Sequence, residues 1–150
     1  MYQKIKNYQS CSKHHKDKKV YHTELLKKGV PGGVKINTKA RGRAVLHILN
    51  SQEFFIQIDV YDIANVTMAH IHFYNEKNRG ENGPILLWLF KNMQHPLKEV
   101  NGPLVAKTFS LKDLSQKMDM TTFVGAINSH KFYYNVHTVQ NPNGELAGGL

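Results

Sequence analysis

The sequence predicts an all-β fold: an antiparallel Greek-key sandwich or barrel carrying one or two short helices. Two observations carry that expectation. Several short stretches alternate apolar and polar residues with a period of two, most cleanly EFFIQIDVY at residues 53–61, which marks strands buried on one face. Turn residues stand between them, among them Gly29-Val-Pro-Gly-Gly, Asn50-Ser51, Asn101-Gly-Pro103 and Asn143-Gly144, and some seven short strands so punctuated are the pattern of a sandwich. A chain of 150 residues suits one domain around one core.

Taken in order, the chain opens on a polar arm. Residues 1–19 hold six lysines against Asp17, so this arm carries +5 of the total charge of +9. The remaining 131 residues, with 14 basic and 10 acidic side chains, carry only +4. The high pI therefore describes a lysine-rich tail on a nearly balanced body, and we divide the chain into a basic arm, residues 1–19, and a folded domain, residues 20–150. Cys11, His14 and His15 lie in the arm as C-x-x-H-H, without a second ligand pair at zinc-finger spacing.

Residues 20–27, VYHTELLK, read as the first strand, and the Pro31 loop runs from there to about Lys39. Residues 42–49, GRAVLHIL, alternate Ala44, Leu46 and Ile48 against Val45, His47 and Leu49. In residues 53–61, Phe54, Ile56, Ile58 and Val60 face inward, with Gln57 and Asp59 outward. After the strand containing Ala69-His-Ile-His72 comes ILLWLF, residues 85–90. It is apolar on both faces, which places it centrally or under a cover, with Trp88 in the core. Residues 92–103 read as a loop and 104–109 as a short strand. Ser110 with Asp113 forms a capping box, and Phe123 and Ile127 at i and i+4 support a helix over 121–129. Residues 131–139 form a strand with Tyr133, Asn135 and His137 on one face, and Asn143-Gly144 turns the final segment back on it.

The chemistry concentrates on that pair of strands. His70 and His72 point the same way, together with Met68 and Tyr74, while Ala69, Ile71 and Phe73 point the other. Two imidazoles about 6 to 7 Å apart at their alpha carbons can meet on one small ion, and His137 stands out on its strand in the same manner. Two readings are open. In one the ring N–H groups are architectural, tying the 75–83 loop and the closing hairpin to the barrel, with Glu145 orienting a ring. In the other the histidines ligate a metal, with His47 as the reserve fourth ligand. His22, His95 and His130 lack equally spaced partners.

Several function classes drop out. Residues 80–84, GENGP, lack the P-loop lysine; Ser110 and Ser129 sit in no nucleophile elbow; and a body at +4 shows no basic stripe for specific nucleic-acid binding. The expectation leans against an enzyme and leaves that question open. No apolar run approaches the length of a membrane span. The sequence opens without a signal-like segment and has one cysteine, so a cytoplasmic location and an unidentified protein or surface partner are expected.

Ala69-His-Ile-His72, Gly80 to Pro84, Asn135-Val-His-Thr138 and Asn143-Gly-Glu-Leu146, in that order, resemble the signature blocks of the CHRD domain family, named after chordin. Val30-Pro31 with Thr38-Lys-Ala-Arg-Gly42-Arg-Ala44 resembles its opening block, so the likeness covers residues 20–150. The resemblance implies an immunoglobulin-like β-barrel of the copper/zinc superoxide dismutase type, in a family without a settled activity. Through the distant similarity to superoxide dismutase it also implies His70, His72 and His137 as metal ligands, with copper or zinc as cofactor and one coordination position open. No bridging histidine or zinc-ligand cluster lies between His72 and Pro84, and no disulfide partner exists for Cys11. A copper-only or vestigial site is the most that carries across, not dismutase activity.

Overall fold

The period-two stretch at residues 53–61 belongs to one of the two 11-residue strands of one sheet in the computed structural model, which describes residues 19–32 and 36–150. Eight strands make up the body: β1 (Val20–Leu25), β2 (Arg41–Ile48), β3 (Glu53–Ile63), β4 (Val66–Tyr74), β5 (Asn82–Lys91), β6 (Val100–Ser110), β7 (Phe132–Thr138) and β8 (Leu146–Gly149). One helix, α1 (Met120–Asn128), lies between β6 and β7, with 3-10 turns at Lys27–Gly29 and Leu111–Asp113. The strands form two antiparallel sheets, ordered β1-β2-β3-β6 and β5-β4-β7-β8. Because β3 hands over to β4, β5 returns to β6 and β6 hands over to β7, the chain crosses between sheets three times. Neighbours such as β3 and β6 are therefore distant in sequence, which is the Greek-key arrangement.

The core fills the space between the sheets. Phe54, Ile56, Ile58 and Val60 of β3 are fully buried, as the alternation predicts, against Ala69 and Ile71 of β4 and Phe132, Tyr134 and Val136 of β7. Phe54 sits at the centre of an aromatic cluster, 4.9 Å from Phe123 of α1 and 6.1 Å from Phe109 of β6 between ring centroids. Helix α1 contributes Phe123 and Ile127, the predicted i, i+4 pair, and Asp119 caps it by accepting from the Thr122 N–H at 2.7 Å. The capping box of Ser110 and Asp113 is present and starts a 3-10 turn. Among the described residues no helix is long and apolar enough to cross a membrane.

Four expectations are corrected. ILLWLF is not central: β5 is an edge strand. Its free edge is capped by Ser115, whose N–H donates to the Leu86 carbonyl at 2.8 Å and whose hydroxyl donates to the Ile85 carbonyl at 2.7 Å. Trp88, beyond that cap, is 44% exposed rather than core. Residues 100–103 are strand rather than loop, because β6 lies at an edge, where Pro103 costs no ladder bond, and the register with β3 shifts there. Asp59 does face away from the core, yet it is buried under Arg43, whose guanidinium contacts it at 3.0 Å.

The connection from β1 to β2 reaches across to the sheet that carries the histidines. Leu26 and Ala147 exchange both backbone hydrogen bonds, at 3.0 and 3.1 Å, tying the edge of one sheet to β8 of the other. Val30 and Ile36 then pack on Tyr133 and Ala147, so this connection covers part of the outer face of the second sheet. Residues 1–18, with Cys11, His14 and His15, lie outside the described residues.

Candidate metal centre

Strands β4 and β7 are adjacent and antiparallel, with Met68 opposite His137, His70 opposite Asn135 and His72 opposite Tyr133. The alternation that sends Ala69 and Ile71 into the core therefore sends His70, His72 and His137 to one outer patch. That patch is not solvated: the three histidines are 2%, 4% and 3% exposed. Their candidate ligand nitrogens all lie within 4.8 Å of one another. His70 Nδ1 and His137 Nε2 are 3.1 Å apart. Donors about 2.0–2.1 Å from a shared ion stand roughly 3–3.5 Å apart, so one pair already has that spacing and a small ring movement would close the rest.

Backbone carbonyls set the tautomers of two rings. His72 Nδ1–H donates to the Gly83 carbonyl at 2.8 Å, and His137 Nδ1–H donates to the Pro142 carbonyl at 2.9 Å. A carbonyl can only accept, so both rings carry their proton on Nδ1 and present a bare Nε2 to the centre. Because the His137 proton is on Nδ1, His70 Nδ1–H donates into His137 Nε2 at 3.1 Å. The Nε2 atoms of His70 and His72 are buried without a partner.

Each carbonyl is held by its own device. Gly83 approaches Phe73 so closely that a Cβ would lie 2.0 Å from the Phe73 carbonyl oxygen, so only glycine allows this approach. Asn82, beside it, accepts from Tyr133 Oη at 2.9 Å and from Asn135 Nδ2 at 3.0 Å, and its own amide donates to the Asn143 carbonyl at 2.9 Å. The loop before β5 is thus stitched to the hairpin that contains Pro142. Gly144 turns that hairpin at φ +124°, and a Cβ there would lie 2.1 Å from Asn135 Oδ1.

Electrostatics keep the rings neutral. Burial, followed by the neighbouring imidazoles of His137 and His72 and the Lys91 ammonium, lowers His70 to about 3. Burial lowers His137 to about 4 against the opposing pull of the Pro142 carbonyl, and burial lowers His72 as well. Burial also pushes the Tyr133 phenol, whose ring stacks on His72 at 5.2 Å, up to about 12. Trp88 stands edge-to-face with His70, 4.1 Å between centroids, and Lys91 Nζ lies 4.9 Å over the indole.

The structure brings together the three histidines singled out in the sequence and separates two other residues from them. His47 is on β2, in the opposite sheet, and cannot serve as a fourth ligand. Glu145 does not orient a ring: it accepts from Thr38 Oγ1 at 2.6 Å, Thr138 Oγ1 at 2.7 Å and Asn141 Nδ2 at 2.8 Å, clamping the β1–β2 connection to the closing hairpin. The ring-orienting groups are instead main-chain carbonyls, which leave no residue-type signal. Sequence reasoning also passes over Asn82, Tyr133 and Asn135; an Asn-Gly before a strand and an alternating Tyr-x-Asn-x-His face are the signals present. Three neutral, buried imidazoles whose ligand nitrogens lie within 4.8 Å of one another could hold one metal ion.

The family model described as the CHRD domain matches residues 26–150. No curated protein and no solved structure matches the chain.

Proposed function

The chain belongs to the CHRD domain family, and on that premise we propose that it is a β-sandwich binding module whose covered outer face holds one copper or zinc ion on His70, His72 and His137. The observation that carries this reading is the buried, partnerless Nε2 of His72 beside the His70 Nδ1 and His137 Nε2 pair, 3.1 Å apart, with one nitrogen of each ring within 4.8 Å of the others. Buried polar atoms are ordinarily satisfied, and an ion would satisfy these. Main-chain carbonyls of Gly83 and Pro142 play the orienting part that ligating histidines usually require. When bound, the ion supplies a Lewis-acidic centre with an open position. The chain's own residues hold it, exclude water from it and keep the rings unprotonated.

The architectural reading has its own support, since two rings do pin the 75–83 loop and the closing hairpin. The two readings part on addition of metal. The metal reading predicts stoichiometric copper or zinc in untagged protein by elemental analysis. It also predicts about 2.7 kcal/mol of added stability at a free metal concentration of 100 times Kd, a rise of roughly 5–10 °C in Tm for a chain of this size. His70→Ala with His72→Ala abolishes that rise. An equal rise in the double variant places the ion elsewhere, and no rise in the parent leaves the rings purely structural.

We further assign residues 1–19 to a basic arm whose attraction to anionic surfaces weakens with salt.

A further inference from the structure

We propose that the pocket is built for a single positive charge: copper(I), held by three neutral imidazoles with the Met68 thioether as a soft fourth donor. This rests on the three-histidine reading above and extends it to the oxidation state.

The first ground is charge. Among the described residues, every group in hydrogen-bond contact with the three rings is neutral: the Gly83 carbonyl, the Pro142 carbonyl and the rings themselves. The buried carboxylate of the closing hairpin, Glu145, is occupied by Thr38, Thr138 and Asn141. A charged side chain near the site, Lys91, is a cation, lying on the indole that itself lies against His70. The rings are almost fully shielded from solvent, so charge brought into the pocket is neither hydrated nor paired. The cost of such burial rises with the square of the charge. Copper(I) brings one charge where zinc(II) or copper(II) brings two. A divalent ion escapes the penalty only by carrying a small anion into the open position.

The second ground is donor softness. Met68 stands on the same face of β4 as His70 and His72, and it is directly opposite His137 in register. Opposed alpha carbons of an antiparallel pair are about 4.5–5.5 Å apart, and a thioether on a three-torsion side chain adapts readily to such a neighbour. Thioether sulfur selects copper(I) over harder divalent ions. Met68 is not among the side chains packed into the main core, so ligation would not compete with an interior role.

The test uses the full chain under argon. Bicinchoninate competition measures copper(I) affinity, and glycine competition measures copper(II), each with and without sodium azide. Copper(I) is expected to bind at least about a hundredfold more tightly than copper(II), and azide to tighten copper(II) alone. Met68→Leu, which preserves bulk, is expected to weaken copper(I) at least about tenfold while leaving copper(II) nearly unchanged; far-ultraviolet circular dichroism confirms its fold. Copper(II) binding as tightly as copper(I) without azide overturns the single-charge pocket and leaves the three-histidine site standing. Unchanged copper(I) affinity in Met68→Leu overturns the fourth-donor assignment. Failure of both ions to bind overturns the metal reading itself, and this inference with it.

Discussion

At His72 and His137 the deciding partner is a backbone oxygen, and a single residue's chemistry follows from it. A ring whose Nδ1–H is committed to a carbonyl has one nitrogen left, and burial keeps that nitrogen unprotonated. An unfolded imidazole titrates near 6.5, whereas the folded protein holds His70 to about 3 and His137 to about 4. Between those values the unfolded chain binds more protons, so stability rises with pH. The contribution is complete above about pH 6.5 and is lost progressively on acidification toward pH 4. Melting temperatures of the metal-free protein should therefore fall from pH 7 to pH 4.5; a level profile over that range would contradict the neutral, buried assignment. Gly144 is the second residue whose identity is dictated locally. Alanine there meets both a left-handed φ and the Asn135 carboxamide, so Gly144→Ala should cost about 1–3 kcal/mol, seen as a lower urea midpoint at unchanged slope. The left-handed turn at Gly144 is legible in the Asn143-Gly144 pair, whereas the ring tautomers are not legible from residue type. His-x-His is visible as a pair on one face, while the Gly83 and Pro142 carbonyls that set the tautomers carry no sequence mark.

Among the elements, those governed by local periodicity are the ones the sequence describes well. Strand β3 and helix α1 lie within two residues of the alternation and the i, i+4 pair that announce them, because each buries its own face against one layer. Strands β5 and β6 depend on their neighbours instead. A run apolar on both faces reads as a central strand, yet β5 is an edge, capped by Ser115 from a segment nearly 30 positions later. The extension of β6 through Gly102 and Pro103 is hidden because proline reads as a loop unless the strand is known to lie at an edge. The closing hairpin is the element most directly tied to the site. Glu145→Ala leaves three donors, from Thr38, Thr138 and Asn141, without their acceptor, and should cost about 1–3 kcal/mol. Its local signature is faster amide exchange at Val139 and Gly144, whose N–H groups bond to Asn65 and Asn141, ahead of any change in β3. Uniformly faster exchange across both sheets would mean that the clamp serves the whole fold rather than the hairpin.

For the molecule as a whole, stability comes from packing between the two sheets, whereas the register of the histidine strands is set within one sheet. Phe54 joins β3, β6 and α1, so Phe54→Ala should cost about 3–5 kcal/mol and lower Tm by roughly 6–20 °C, while β4 and β7, on the other sheet, keep their register and their metal response. Loss of metal binding at a temperature where the variant is still folded would show that the site depends on more than its own sheet. By itself the sequence determined the all-β class, membership in the CHRD family and three histidines on outward positions, because strand alternation is a local property of period two. Only the tertiary structure decided that β4 and β7 are neighbours, that the β1–β2 connection and the closing hairpin cover part of their outer face, and that two carbonyls aim the rings inward. The reason is physical: sheet order and main-chain hydrogen bonds join residues from 5 to about 120 positions apart, and nothing in the identity of a residue records which backbone oxygen it will face.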